Sequence, residues 1–368
     1  MTMKSFQPAP EYITALLEQI HNLATVPISI MEVCGTHTMS IFKHGIRSLL
    51  PATLKLMSGP GCPVCVTPQS DIERFILAAR QKNVIVASFG DLFRVPGNHS
   101  SLIKERSQGC DVRVVYSPMD ALTLAAETPD RTVIFLAVGF ETTAPAVAAT
   151  IITAQSQNIH NFCILSAHRC VVPALEKLIN SPQTAINGFI LPGHVSTIIG
   201  EIAYDHIPKK YGVGGVIAGF DAGDILYAIY LLITQILQQN PSIENAYPRA
   251  VHAMGNTRAK TLMNEVFSIA DAQWRGIGNI PNSGMILNDQ YAAFDANNRF
   301  DLLIDNSSEP KGCQCGKILM GLIHPSECQL FGTICTPEAP VGPCMVSSEG
   351  TCAAYYRYDD MGLNPVTV

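Results

Sequence analysis

Apolar residues recur along the first two thirds of the chain in two alternating rhythms. Between Tyr12 and Leu23, Ile13, Leu16, Leu17 and Ile20 fall at helical spacing, which predicts an amphipathic opening helix within residues 1–30. Short β-rich runs follow, each ending in a polar or glycine-bearing loop and leading into a helix-like stretch. They are Ile28 to Val33, Val84 to Ser88, Val112 to Tyr116, Val133 to Val138, Phe162 to Ser166, Gly188 to Leu191 and Gly215 to Ala218. Strands alternating with helices predict βαβ units and parallel sheets, so the expected fold class is α/β, with one domain over 31–128 and a second over 129–240. Gly139-Phe140-Glu141 and Gly219-Phe220-Asp221 repeat a pattern after an apolar run, as two similar lobes would. The run from Ile225 to Leu237 is too short to span a membrane and reads as a buried helix. Past Gln238-Gln239-Asn240-Pro241 the strand pattern thins and Asn, Pro and Gly rise, which marks a third region over 241–368.

Composition narrows the class. Hydrophobic residues make up 47% of the 368 and charged residues 15%, enough apolar surface to bury several cores and no signature of disorder. A net charge of −6 without a dense Lys/Arg run argues against a nucleic-acid footprint. Pro8, Pro10, Glu11 and Glu18 stand where a secretory leader needs an apolar core, so a cytoplasmic protein with no membrane segment is expected. In a reducing compartment twelve cysteines point to metal binding or redox chemistry in preference to structural disulfides.

The cysteines fall into two groups. Gly59-Pro60-Gly61-Cys62-Pro63-Val64-Cys65 sets a Cys-x-x-Cys pair in glycine and proline ahead of a helix whose first turn suits Pro68 and Ser70-Asp71-Ile72-Glu73. The N-terminal end of a helix favours thiolate, the form that a metal ligand or redox nucleophile requires. Cys34 ends the first apolar run and supplies a third thiol, so Cys34, Cys62 and Cys65 are expected to face one another across a cleft. Other loops that follow predicted strands carry Asp91, Glu141, Thr142, His168, His194 and Asp221, and such loops collect along one sheet edge. The second group, Cys313, Cys315, Cys328, Cys335, Cys344 and Cys352, is interleaved with glycine and proline that let a backbone wrap a compact inorganic core. Spacing leaves both an iron–sulfur cluster and a four-thiolate zinc site open for it. Cys110, Cys163 and Cys170 read as ordinary buried thiols. Gly312-x-x-x-Gly316-Lys317 is one residue short of a phosphate loop, the glycines around 212–219 flank a strand on the wrong side for a dinucleotide turn, and no Gly-x-Ser-x-Gly elbow occurs.

Taken together, the Met31-Glu32-Val33-Cys34-Gly35 stretch, the Gly59 to Cys65 segment, Gly139-Phe140-Glu141-Thr142-Thr143-Ala144-Pro145, Pro192-Gly193-His194-Val195-Ser196 and the C-terminal cysteine spacing resemble the HypD family of [NiFe] hydrogenase maturation factors across nearly the whole chain. The resemblance implies two similar α/β domains with a cluster-bearing region. It implies a scaffold in stable complex with the small chaperone HypC, on which iron acquires two cyanides and one carbon monoxide. HypE would supply cyanide transiently, and the hydrogenase large subunit would be served indirectly. By the same resemblance Cys34 is an iron ligand shared with a HypC thiol, and Cys62 and Cys65 are the iron-binding or redox pair. Cys313, Cys328, Cys335 and Cys352 hold a [4Fe-4S] cluster, with Cys315 and Cys344 as an adjacent redox pair. His37 and His194 are expected to donate to cyanide, and Glu141, Thr142 and Thr143 to receive protons or position the partner. One departure from the family pattern is Met39, which stands where many relatives carry histidine. A stand-alone thiol–disulfide oxidoreductase and a zinc-stabilised interaction protein are the alternative readings of the same cysteines.

Overall fold

The structure is a computed structural model that describes residues 10–304 and 307–358. The N-terminal segment 1–9, on which the expected lack of a leader partly rests, and the end of the expected third region, 359–368, lie outside the described residues. The opening helix runs Pro10–Leu23. Eleven strands follow among the described residues: β1 (Ile28–Glu32), β2 (Leu54–Ser58), β3 (Val84–Ser88), β4 (Asp111–Val114), β5 (Thr132–Gly139), β6 (Phe162–His168), β7 (Gly188–Pro192), β8 (Gly214–Ala218), β9 (Ile243–Asn245), β10 (Phe267–Trp274) and β11 (Gly278–Leu287). The protein is α/β with parallel sheets and a cysteine-rich C-terminal region.

The sheets divide the chain differently from the sequential boundaries at 128 and 240. One parallel sheet has the order β2-β1-β7-β8-β9, and the other, β4-β3-β5-β6, lies wholly within the sequence gap between β2 and β7. Strand pairing is decided by which apolar faces meet, which periodicity along the chain does not encode. Strands β5, β7 and β8 alternate their side chains between two cores. Ile134, Leu136 and Val138 of β5 pack in a central core, while Val133, Phe135 and Ala137 face the helices Pro118–Glu127 and Ala144–Ser156. Phe189, Leu191 and Ile217 of the first sheet enter the same central core, whereas Ile190, Val216 and Ala218 face Leu16, Ile20 and the helix Ala222–Leu237. That helix is the expected buried one. The central layer is therefore shared by both sheets, with helices covering their outer faces.

The third region begins later and contains more strand than expected. β9 belongs to the first sheet, and β10 pairs with β11 in an antiparallel hairpin. The hairpin turn is wedged between the two cysteine groups. Arg275 is buried and donates from its backbone N–H to Val66 O at 2.8 Å, from Nε to Thr67 O at 2.8 Å and from its guanidinium to Gln69 Oε1 at 3.0 Å. Gly276, at φ +68°, lies so close to Gly316 that a Cβ would stand 2.1 Å from its Cα. From Cys313 to the last described residue the chain forms short helices, Cys315–Leu319, Pro325–Glu327, Pro343–Val346 and Thr351–Tyr358, joined by turns.

Candidate functional site

Parallel pairing sets the carboxyl ends of β1, β2 and β7 side by side, and the loop after β5 reaches them from the second sheet. Between them lies a cleft of about 210 Å³ lined by Cys34, Thr36, Gly61, Thr142, His194 and Glu349 together with Phe140 and Thr143. Cys34 caps the helix Gly35–Lys43. Its loop is fixed from below by Glu32, whose Oε2 accepts the Cys34 N–H at 3.3 Å and whose Oε1 accepts the Thr38 hydroxyl at 2.6 Å. It is fixed from the side by Gly61, whose carbonyl accepts the Gly35 N–H at 3.0 Å. A Cβ on Gly61 would stand 2.2 Å from Cys34 N, so the two cysteine-bearing loops run back to back only because residue 61 has no side chain.

The start of its helix does not make a thiolate of Cys34. Burial, followed by the Glu349 carboxylate, pushes the Cys34 pKa up to about 12 from 9.0, although the Thr36 and His37 backbone N–H groups pull the other way. Three pKa units are worth about 4 kcal/mol, against about 1 kcal/mol from a helix terminus, so desolvation wins. Cys65, fully buried, is likewise pushed well up, chiefly by burial. Both thiols are protonated until a soft metal or an oxidant takes the proton's place.

Four expectations are revised by the geometry. Cys62 and Cys65 do not line the cleft with Cys34; they pair with one another behind it, Sγ to Sγ at 2.7 Å, because Cys65 follows one helical turn after Cys62 and accordingly points inward. Among the described residues no three His, Cys, Asp or Glu side chains are gathered to hold one metal ion. His37 is wholly buried, its Nε2–H donating to Gly219 O at 2.9 Å, and burial holds its pKa down near 4; it ties β8 to the Cys34 helix and gives no donor to the cleft. Glu141 turns away to accept the Val171 N–H at 2.9 Å, and burial raises its pKa to about 7. His194 and Thr142 are in the cleft as expected, with His194 stacked on Phe220 at 4.0 Å between centroids.

Glu349 is the cleft residue that sequence reasoning missed. It accepts the Thr36 hydroxyl at 2.6 Å and comes from the turn between Cys344 and Cys352, so the C-terminal region closes one wall of the cleft. Ser347 left no local trace for the same reason: only the packing of this turn onto β3's loop, where the expected loop residue Asp91 accepts its hydroxyl, brings it to Cys62.

The two cysteine groups, distant in sequence, are continuous in space. The short helix Pro343–Val346 packs on Pro63–Val66, which places Cys344 against Cys65. Cys344 lies 2.9 Å from Cys315, Sγ to Sγ, and Cys315 touches Cys313. Beyond this row, Cys313, Cys328, Cys335 and Cys352 join Cys315 and Cys344 around one small cavity completed by Ile318, Leu330, Phe331 and Met345. Cys335 Sγ accepts the Val341 N–H at 3.3 Å. A lining of thiols and apolar side chains, with a backbone donor on sulfur, fits an iron–sulfur cluster. All twelve cysteines are free thiols here. Among the described residues no helix is long and apolar enough to cross a membrane.

Fold and site together define a class: two-sheet α/β proteins that hold one thiol in an open cleft and a row of thiols running from behind it to a loop-borne cavity. The family model described as HypD, hydrogenase formation hypA family, matches residues 11–359. The hydrogenase maturation factor HypD of Azotobacter vinelandii is 44% identical over 336 residues, 89% of this chain and 89% of that protein. That of Escherichia coli (strain K12) is 41% identical over 358 residues, 95% of this chain and 96% of its own. That of Cupriavidus necator is 43% identical over 336 residues, 89% of each. The chain belongs to the HypD family of hydrogenase maturation factors.

Proposed function

We propose that this protein is the scaffold on which, together with a HypC-type chaperone, the Fe(CN)2CO unit of the [NiFe] hydrogenase active site is assembled. The observation that carries the reading is the position of Cys34. It is the one thiol at the cleft, held by Glu32 and Gly61 from two sides, and it offers a single protein ligand to an iron cargo whose second thiolate comes from the chaperone. Low-spin iron bearing cyanide and carbon monoxide is a soft centre suited to thiolate, and binding it releases the Cys34 proton. His194 and the Thr142 hydroxyl provide donors for the anionic cyanides delivered by HypE.

Cys313, Cys328, Cys335 and Cys352 are the proposed ligands of a [4Fe-4S] cluster, which supplies single electrons when bound. The short Cys315 to Cys344 contact favours that division of the six. Cys315 and Cys344, then Cys65 and Cys62, form the path by which reducing equivalents reach the cleft. That same row favours one second reading, a thiol–disulfide oxidoreductase acting without iron cargo.

Infrared spectroscopy on anaerobic protein co-expressed with its HypC-type partner separates the two. Metal-bound cyanide and carbon monoxide bands that disappear in Cys34→Ala, with iron and sulfide content retained, are the expected outcome. Bands absent from the native complex, alongside turnover of a generic disulfide, would establish the oxidoreductase instead.

A further inference from the structure

A histidine that donates to an incoming anion has to be held in place without spending its ring nitrogens. His194 meets that condition. Its side chain is exposed, and although its backbone carbonyl accepts the Thr197 hydroxyl at 2.6 Å, its ring makes no hydrogen bond among the described residues. The ring lies instead on Phe220, with 4.0 Å between centroids and 29° between planes. Phe220, half-buried just past the end of β8, also meets the ring of His37 at 4.8 Å and, nearly at right angles, that of Tyr247 at 6.0 Å. The loop that carries His194 is pressed onto it: a Cβ on Gly193 would stand 3.2 Å from Phe220 Cζ and 2.4 Å from Ala218 O. The backbone of Phe220 is anchored to the helix that Cys34 caps. From that helix Ser40 donates its hydroxyl to Phe220 O, and the His37 Nε2–H is shared by Gly219 O at 2.9 Å and Ala218 O at 3.2 Å. The two histidines that touch Phe220 are therefore held differently. His37 has hydrogen bonds as well as the ring contact, and His194 has the ring contact and no hydrogen bond.

We propose that Phe220 is a positioning residue that sets the imidazole of His194 in register with Cys34. It acts as a flat spacer: its backbone is fixed to the Cys34 helix, and its ring fixes the plane of His194 while leaving both imidazole nitrogens to the cleft. The inference rests on reading the Cys34 cleft as the place where iron–cyanide cargo is held, with His194 as a donor to cyanide. Its geometric part, the holding of His194, needs no cargo. A side chain of similar volume without a ring fills the space but offers no plane to stack on.

The test is nuclear magnetic resonance of the reduced, anaerobic full-length protein carrying carbon-13-labelled histidine, with the two signals assigned by their loss in His37→Gln and His194→Gln. In the native protein both rings are expected to be rigid, with order parameters of about 0.85; in Phe220→Leu that of His194 falls below about 0.6 while His37, still hydrogen-bonded, keeps its value. Circular dichroism and iron content report folding, and if Phe220→Leu fails to fold, Phe220→Met carries the test. In the complex with the HypC-type partner, the infrared cyanide bands are expected to shift in Phe220→Leu as they do in His194→Gln. A His194 ring that stays ordered in folded Phe220→Leu overturns the inference. Joint loosening of His37 and His194 overturns it too, since Phe220 would then be ordinary core packing, and so do unchanged cyanide bands beside a loosened His194. A His194 that loosens alone, with no bands in the native complex, defeats the assembly reading and leaves the holding of His194 by Phe220 standing.

Discussion

The Cys34 cleft and the six-cysteine cavity both present sulfur, but they are built by opposite means. The cleft stands on strand ends of two parallel sheets, is open on one side and is rimmed by Thr36, Thr142, His194 and Glu349. The cavity is small and lined by thiols and apolar side chains, carries no carboxylate or imidazole in its lining, and is assembled from turns and helices of three to eight residues. A thiol in a polar-rimmed cleft on a rigid frame suits something that arrives and leaves. Thiols enclosed by apolar side chains on short segments suit a resident group that itself holds those segments together. The difference teaches that cysteine count alone says little: what covers the sulfur and what carries it decide between cargo and cofactor.

The largest expected effect tests the resident half. Cys352→Ser, or chelation of iron, should abolish bound iron and sulfide and make residues 307–358 sensitive to limited proteolysis, while the two sheets keep their protection. If the sheets are lost as well, the contrast between a rigid frame and a cofactor-held region fails. Next is Gly61→Ala, where a Cβ 2.2 Å from Cys34 N forces the loops apart. A stability loss on the order of 4 kcal/mol by urea unfolding is expected, with iron content of the cavity unchanged.

Glu141→Gln separates the regions by pH. The folded pKa of Glu141 is raised to about 7 from 4.5, by burial first. Its protonated form is thus favoured in the folded state, and the stability associated with it is complete below pH 4.5 and lost as pH rises through 7. The variant should therefore equal the native protein below pH 4.5 and exceed it by up to about 3 kcal/mol above pH 7, read from urea midpoints at each pH. The smallest effect is at Cys110, which lies outside both sulfur regions beside Glu105. Cys110→Ala should shift stability by about 0.5 kcal/mol or less and leave iron and sulfide untouched.

Much of this contrast was legible in the sequence. Seven of the strands and the buried helix over 222–237 follow from local apolar runs, because strand and helix periods are properties of neighbouring residues. Cys34, Thr142 and His194 were found because loops after parallel strands share one edge. β2 was missed, since Leu54-Lys55-Leu56 is brief and interrupted by a lysine. The hairpin of β10 and β11 was missed because Asp271, Gln273 and Asn279 dilute its alternation. Residues whose role comes from another segment's packing left no local trace. Glu349, Ser347 and Arg275 bond the Cys34 and Cys62-to-Cys65 segments from more than 200 residues away, and His37 and Glu141 turn from the cleft toward backbone groups at the end of β8 and the helix Val171–Ile179.

The nesting of one sheet inside the sequence of the other has a consequence for the chain's birth. As the polypeptide leaves the ribosome, β1 and β2 emerge first, yet β7 and β8, which complete their sheet, follow only after the whole β3 to β6 unit has been made. The inner sheet is contiguous and free to fold at once, whereas the first cysteine loop waits for its neighbours. Glu349 and Ser347 are translated later still. Synthesis order thus serves as a lock: a nascent or truncated chain displays Cys34 without the wall that completes its cleft, and the site closes only when nearly the last described residues have been added.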